Sequence, residues 1–205
     1  EISACLVGSE MCKETAYYLA ALSCITVLIG AWYAWPFPRF DVTTLPSRPE
    51  AAGYNREDFG IWQPHGACTT REVILESQSS EPLHACHARS GALYDPYSGT
   101  TIPATSPIEI DHIFPLSAAY DLGASEWDRE TKVRFGNDPL NLVATSRELN
   151  QEKSDALPAE WLPPANRCDY SRRLADIARK YSLPLPSKDV RVMQRQCRLA
   201  VLTGN

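Results

Sequence analysis

Between Ala16 and Trp35 the chain carries no charged side chain. A run of about 20 residues this apolar is long enough to cross a bilayer as a helix, because a helix satisfies its own backbone polar groups in hydrocarbon. The run therefore predicts a helix over 16–35 and divides the chain around it. Tyr17, Tyr18, Trp32, Tyr33 and Trp35 stand at its two ends, where amphipathic rings favour the membrane interface, and this fits a retained anchor. A cleaved signal peptide is the alternative, although a cut after Ala34 would set Trp32 where a small residue is preferred. Lys13 and Arg39 flank the run, so charge bias barely orients it. Either way the remainder is expected outside the cytoplasm, membrane-anchored or secreted.

Residues 36–53 hold four prolines and one glycine with no sustained periodicity, which reads as a linker between the N-terminal segment 1–35 and a domain over 54–205. The formal charge of −5 gives no general attraction to nucleic acid, so any such surface must be a local concentration of Arg and Lys. Seven cysteines without a CxxC pair argue against a zinc ribbon or a thioredoxin-type motif. Cys68, Cys86, Cys168 and Cys197 form an even set beyond the leader, and disulfides Cys68–Cys86 and Cys168–Cys197 suit an oxidising compartment; four unrelated buried thiols are the plainer alternative.

Within the domain the pattern predicts a helix over 71–79, a short strand over 92–94 and a strand over 109–114. Two helices follow near 116–122 and 126–135, then a strand over 142–144 and a helix capped by Thr145 or Ser146 that runs through Lys153. Helical spacing returns over 171–181 and 189–202. The fold class is thus α+β: a small hairpin with much helix and loop around it.

The chemistry concentrates in two stretches. Glu109-Ile110-Asp111-His112-Ile113-Phe114-Pro115-Leu116 sets a carboxylate beside an imidazole; neighbours in a strand point to opposite faces, so both serve one site only if the strand ends or bends there. Asn137-Asp138-Pro139-Leu140-Asn141-Leu142-Val143 opens the second strand with Asn141, and Asn150 and Lys153 lie in the helix behind it. A strand-turn-helix of that length can fold the amides back toward Asp111 and His112.

These residues closely resemble the HNH (ββα-metal) endonuclease superfamily, and Tyr54–Cys197 is similar to its secreted bacterial branch grouped with GmrSD-type C-terminal domains. The resemblance rests on YNREDFGIW (54–62), CTTR (68–71), GALYDPYSG (91–99), EIDHIFPL (109–116), GNDPLNLV (136–143), Asn150-x-x-Lys153 and AEWLPP (159–164). It implies a ββα-metal core with extra helices that hydrolyses phosphodiester bonds of DNA, with RNA as an alternative substrate. His112 is the expected general base, and Asn141 orients the imidazole or ties the loop. Asp111 and Asn150 are the expected oxygen ligands of one divalent cation, Mg²⁺ with Mn²⁺ as a substitute. Lys153 and Arg71 are expected to meet substrate phosphates. Many sites of this type carry His where this chain has Asn150, which tilts the metal choice toward hard cations. Nucleic acid and, through the leader, a membrane are the expected partners, with no protein partner.

Blander readings stand beside these. Asn137 is an alternative to Asn141. A catalytically idle nucleic-acid or cell-envelope binding module would use the same hairpin for its shape alone. His65, His84 and His87 near Cys86 lack a clear fourth zinc ligand and read as surface loop residues. Trp62, Trp127 and Trp161 read as packing, and Arg172, Arg173, Arg179 and Lys180 as a solvated helix face.

Overall fold

A computed structural model describes residues 9–34, 39–80, 92–103 and 105–203. The chain divides into two units, Glu1–Phe37 and Pro38–Asn205. The first contains helix α1 (Ser9–Ala34), whose stretch Glu14–Ala31 has a mean hydropathy of 1.4 and is long and apolar enough to cross a membrane. The helix begins upstream of the uncharged run, since Glu10, Lys13 and Glu14 are good helix formers that extend it into its polar flank.

The second unit is α+β. In chain order it contains β1 (Thr44–Leu45), a 3-10 turn Arg56–Phe59, the hairpin β2 (Pro64–His65) and β3 (Cys68–Thr69), and α2 (Thr70–Gln78). A second hairpin follows, β4 (Ala92–Asp95) with β5 (Thr100–Pro103), and then β6 (Ile108–His112), α3 (Leu116–Asp121) and α4 (Arg129–Gly136). The chain ends with β7 (Leu142–Ser146), α5 (Arg147–Lys153), α6 (Arg167–Lys180), β8 (Leu185–Pro186) and α7 (Ser187–Thr203).

The central feature is the antiparallel pair β6–β7, with Ile110 opposite Ala144 and His112 opposite Leu142, followed at once by α5. Ser146 caps α5 by accepting from Leu149 N, which leaves the β7-to-helix turn with no spare residue. Ile108 and Ile110 point to one side of β6, where Leu142 and Ala144 join them against Ile74 and Leu75 of α2 and Leu93 of β4. The larger core lies beyond the hairpin, where Phe59, Phe114 and Phe135 meet α6, α7 and the turn before β8. Trp161 sits edge-on to Tyr97 and Tyr170 in the core, and the half-buried Trp127 packs on Phe135 and Tyr181 at its rim, so both serve packing. Helices α3 and α4 occupy the interval between His112 and Asn141.

Two expectations are corrected. The segment 36–53, expected as a linker ahead of a domain that starts at Tyr54, is from Arg39 onward strapped to the domain. Phe40, Val42, Leu45 and Ala51 pack against the core, and β1 pairs in parallel with β8. Arg48 binds Asp121 at 2.7 Å and Asp155 at 3.0 Å. Pro46 and Pro49 favour extended backbone, and an extended strap buries its side chains without showing a period. The helix face with Arg172, Arg173, Arg179 and Lys180 is solvated at Arg172 and Arg179, which make exposed pairs with Asp169 and Asp176, and the expectation is corrected at Arg173. Arg173 instead donates to the carbonyls of Pro139, Leu140 and Leu142 and thereby clamps the approach to β7.

The disulfide Cys168–Cys197 forms between α6 and α7. Cys68 is also disulfide-bonded; Cys86, its expected partner, lies outside the described residues, as do His84 and His87. His65 is exposed in β2.

Candidate active site

Strand β6 ends at His112, so Asp111 and His112 escape strict alternation and line one cavity of about 260 Å³ together with Asn150, Arg56, Tyr54 and Ser154. The imidazole is almost wholly buried. Its Nε2 lies 2.9 Å from the carbonyl oxygen of Gly136. That oxygen can only accept, so Nε2 carries the proton and Nδ1 holds the lone pair. Burial lowers the imidazole pKa to about 4, aided by the charges of Arg56 and Lys153 and opposed by the Gly136 bond, so His112 is neutral near pH 7.

Three residues fix the ring, and of these the sequence reading offered only Asn137, as an alternative to Asn141, for that role. Trp62 stacks on it with centroids 5.9 Å apart. Asn137 holds the Trp62 loop to the end of α4: its Oδ1 accepts from Gln63 N and Thr70 Oγ1, each at 2.8 Å, and its Nδ2 donates to Ile61 O and Val133 O. Gly136 supplies the accepting carbonyl, and a Cβ there would lie 2.7 Å from Phe59 O. The signal was present in the stretches GIW and GNDPLNLV, but nothing in them says which atom each residue meets.

Asn141 is fully buried and does not touch the imidazole. Its Oδ1 accepts from Phe114 N at 2.8 Å and its Nδ2 donates to Phe114 O at 3.2 Å, while its own carbonyl accepts from Ile113 N. It therefore ties the turn after His112 to the start of β7, one of the two roles the sequence left open.

The Asp111 carboxylate is held from inside. Lys153 Nζ lies 2.9 Å from Oδ2 and 3.1 Å from Oδ1, and also donates to His112 O at 2.9 Å. Tyr97 OH donates to Oδ2. Burial pushes the carboxyl above its ordinary range, against the opposing Lys153 ammonium and Tyr97 hydroxyl. Lys153, expected at a substrate phosphate, is wholly buried and serves instead as the internal counter-ion of Asp111. Its ammonium ends at Asp111 and His112 O, beneath the hairpin, and does not line the cavity. Arg71 is likewise turned to the hairpin, donating to Ile108 O, and does not line the cavity.

Asn150 faces the cavity from α5 and donates through Nδ2 to Glu109 Oε2 at 2.7 Å, which keeps Oδ1 as its acceptor. Among the described residues no group of three or more His, Cys, Asp or Glu is arranged to hold a metal ion. The donors that do meet at the cavity, Asp111 and Asn150, offer oxygen alone and few positions. That fits a hard cation which keeps most of its waters and does not fit a closed zinc site.

Residues 71–189, more than half of the chain, match the family described as GmrSD restriction endonucleases, C-terminal domain. The chain is also 34% identical over 197 residues to a protein of Arthroderma benhamiae (strain ATCC MYA-4681 / CBS 112371) described as an uncharacterized secreted protein, covering 84% of this chain and 93% of that one. No solved structure matches significantly.

Proposed function

The chain belongs to the family of GmrSD restriction endonuclease C-terminal domains, and from that premise we propose that it is a metal-dependent HNH endonuclease that hydrolyses phosphodiester bonds of DNA. The observation that carries the reading is the state of His112: a neutral imidazole, its Nε2–H engaged by Gly136 O, bordering a cavity shared with Asp111 and Asn150. A general base must be unprotonated to accept and held so that its lone pair is aimed, and the buried, Gly136-bonded ring meets both conditions.

In the proposed reaction a water oxygen attacks phosphorus while Nδ1 of His112 takes its proton. The bond from phosphorus to the leaving oxygen breaks, and that oxygen is protonated from solvent. Asn141 holds the turn behind His112, and Trp62 and Gly136 hold the ring. Asp111 and Asn150 would hold one divalent cation, Mg²⁺ with Mn²⁺ as a substitute, whose charge would offset that developing on the phosphate and leaving oxygens. Lys153 keeps Asp111 aligned without meeting the substrate. We read the site of action as extracytoplasmic, supported by the secreted relative and by α1, which suits a signal sequence or an anchor.

The test is plasmid cleavage by the full chain with Mg²⁺, with EDTA, and by His112→Ala with Mg²⁺, with an RNA substrate in parallel. Cleavage by the wild type that EDTA and the substitution both abolish is the expected result. A wild type inert with both Mg²⁺ and Mn²⁺ would overturn the reading in favour of a binding module.

A further inference from the structure

With Lys153 buried and Arg71 turned to the hairpin, the two cations expected to meet the substrate are removed from the cavity. Arg56 lies where neither of them does. It opens the 3-10 turn Arg56–Phe59, which is capped by Asn55 Oδ1 accepting from Glu57 N at 3.0 Å and anchored by the buried ring of Phe59, so its backbone is fixed while its side chain is exposed. Among the described residues its guanidinium has no hydrogen bond or ion pair closer than 4 Å.

Arg56 lines two cavities at once. The first is the polar one described above; the second, about 220 Å³, is bounded by Phe59, Ile61, Trp62, Leu116 and Asn137, and His112 and Leu116 also line both. Arg56 and His112 thus stand together where a polar cleft meets an apolar one. The carboxylates that line the polar cleft already have cations: Asp111 has Lys153, and Asp155 has Arg48 at 3.0 Å. Of the described cations around the clefts, Arg56 is the one left without a counter-ion. Its charge is close enough to His112 to weigh against protonation of the ring.

We infer that Arg56 is the residue that grips the scissile phosphodiester, its planar fork pairing two phosphate oxygens beside His112. A guanidinium matches that geometry in a way an ammonium does not, and an exposed Arg on a capped turn, with no partner among the described residues, meets the phosphate without first breaking a contact to them. The inference rests on the nuclease reading above.

The test compares the full chain with Arg56→Gln and Arg56→Lys in plasmid cleavage across a salt series. It also measures duplex DNA binding by His112→Ala with and without Arg56→Gln. Arg56→Gln should lower kcat/KM by at least about tenfold, the size of a lost charge-assisted contact. It should also make the log–log salt dependence of DNA binding shallower by about 0.9, the release of one phosphate contact. Arg56→Lys should restore the salt slope but not the full rate, and thermal melting should match the wild type in both. Wild-type cleavage and salt slope in Arg56→Gln would overturn the inference and leave the nuclease reading standing. An inert wild type would instead sink that reading, and the binding slopes of the two His112→Ala proteins would still decide whether Arg56 meets phosphate.

Discussion

The indole of Trp62 lies parallel to the imidazole of His112, with 9° between the planes and 5.9 Å between centroids. The stacked face and the Gly136 carbonyl leave the imidazole one rotamer, so a residue that touches no reacting atom sets the direction of Nδ1. Trp62→Ala should lower kcat toward the roughly 10²-fold that a misplacement of about 1 Å costs, with KM little changed. Trp62→Phe, which keeps a ring to stack on, should recover most of the rate. Equal losses in both variants, or a loss in KM alone, would remove the positioning role.

Lys153→Met should be severely destabilising. Taking the ammonium away leaves Asp111 buried without its counter-ion, and breaking a buried pair costs about 3–5 kcal/mol. Without Lys153 the Asp111 carboxyl rises further above its unfolded value, so stability is retained at acidic pH and lost as pH rises. Urea denaturation should therefore show a larger deficit at pH 8 than at pH 5, and adding Asp111→Asn should recover part of it. A deficit independent of pH would count against the pairing.

Gly136→Ala should cost about 1–3 kcal/mol, the range for overpacking, because the new Cβ would fall 2.7 Å from the rigid Phe59 carbonyl. The strain displaces the carbonyl that receives His112 Nε2–H, so cleavage should fall with stability. Chemical denaturation and rate on one preparation check both.

The folded pKa of His112, about 4, lies below the ordinary 6.5. The unfolded chain therefore binds the extra proton first, and the neutral ring contributes stability that is present above pH 6.5 and lost as pH falls toward 4. The contribution has an upper limit of about 3 kcal/mol. Unfolding free energy followed from pH 7 to 4 should fall less steeply in His112→Gln than in the wild type. Parallel curves would show that the ring titrates at its usual value.

Replacing Cys168 and Cys197 together by alanine opens a loop with a sequence separation of 29, and the chain-entropy account gives a loss of about 3–4 kcal/mol. The disulfide lies among α6 and α7, away from the cavity, so cleavage well below the melting temperature should persist. Loss of cleavage in a protein still folded by circular dichroism would tie α6–α7 to the site.

The helix of α1, the strands around Asp111 and Val143, the Ser146 cap and the presence of disulfides were legible in the residues, because each follows from local period, capping chemistry or cysteine usage; which cysteines pair does not follow from usage, and the fold brings Cys168 to Cys197. The strap of residues 39–53 was not: extended chain that packs on a core through Phe40, Val42 and Leu45 shows no period of its own. Hairpin β4–β5 was half legible, since Thr100–Pro103 carries a proline that weakens a strand signal.

The site divides in the same way. The resemblance carried by EIDHIFPL, GNDPLNLV and Asn150-x-x-Lys153 is what singled out Asp111, His112, Asn141, Asn150 and Lys153 as candidates, since an Asp-His pair alone is a weak signal. Only the tertiary structure decided which side of the hairpin each faces, how buried it is and what it meets there. It turned Lys153 inward under Asp111, gave Asn141 to the Phe114 backbone, set Trp62 against His112 and left Arg56 open at the cavity. Those outcomes depend on contacts between residues tens of positions apart, which packing of the whole core creates and no local pattern encodes.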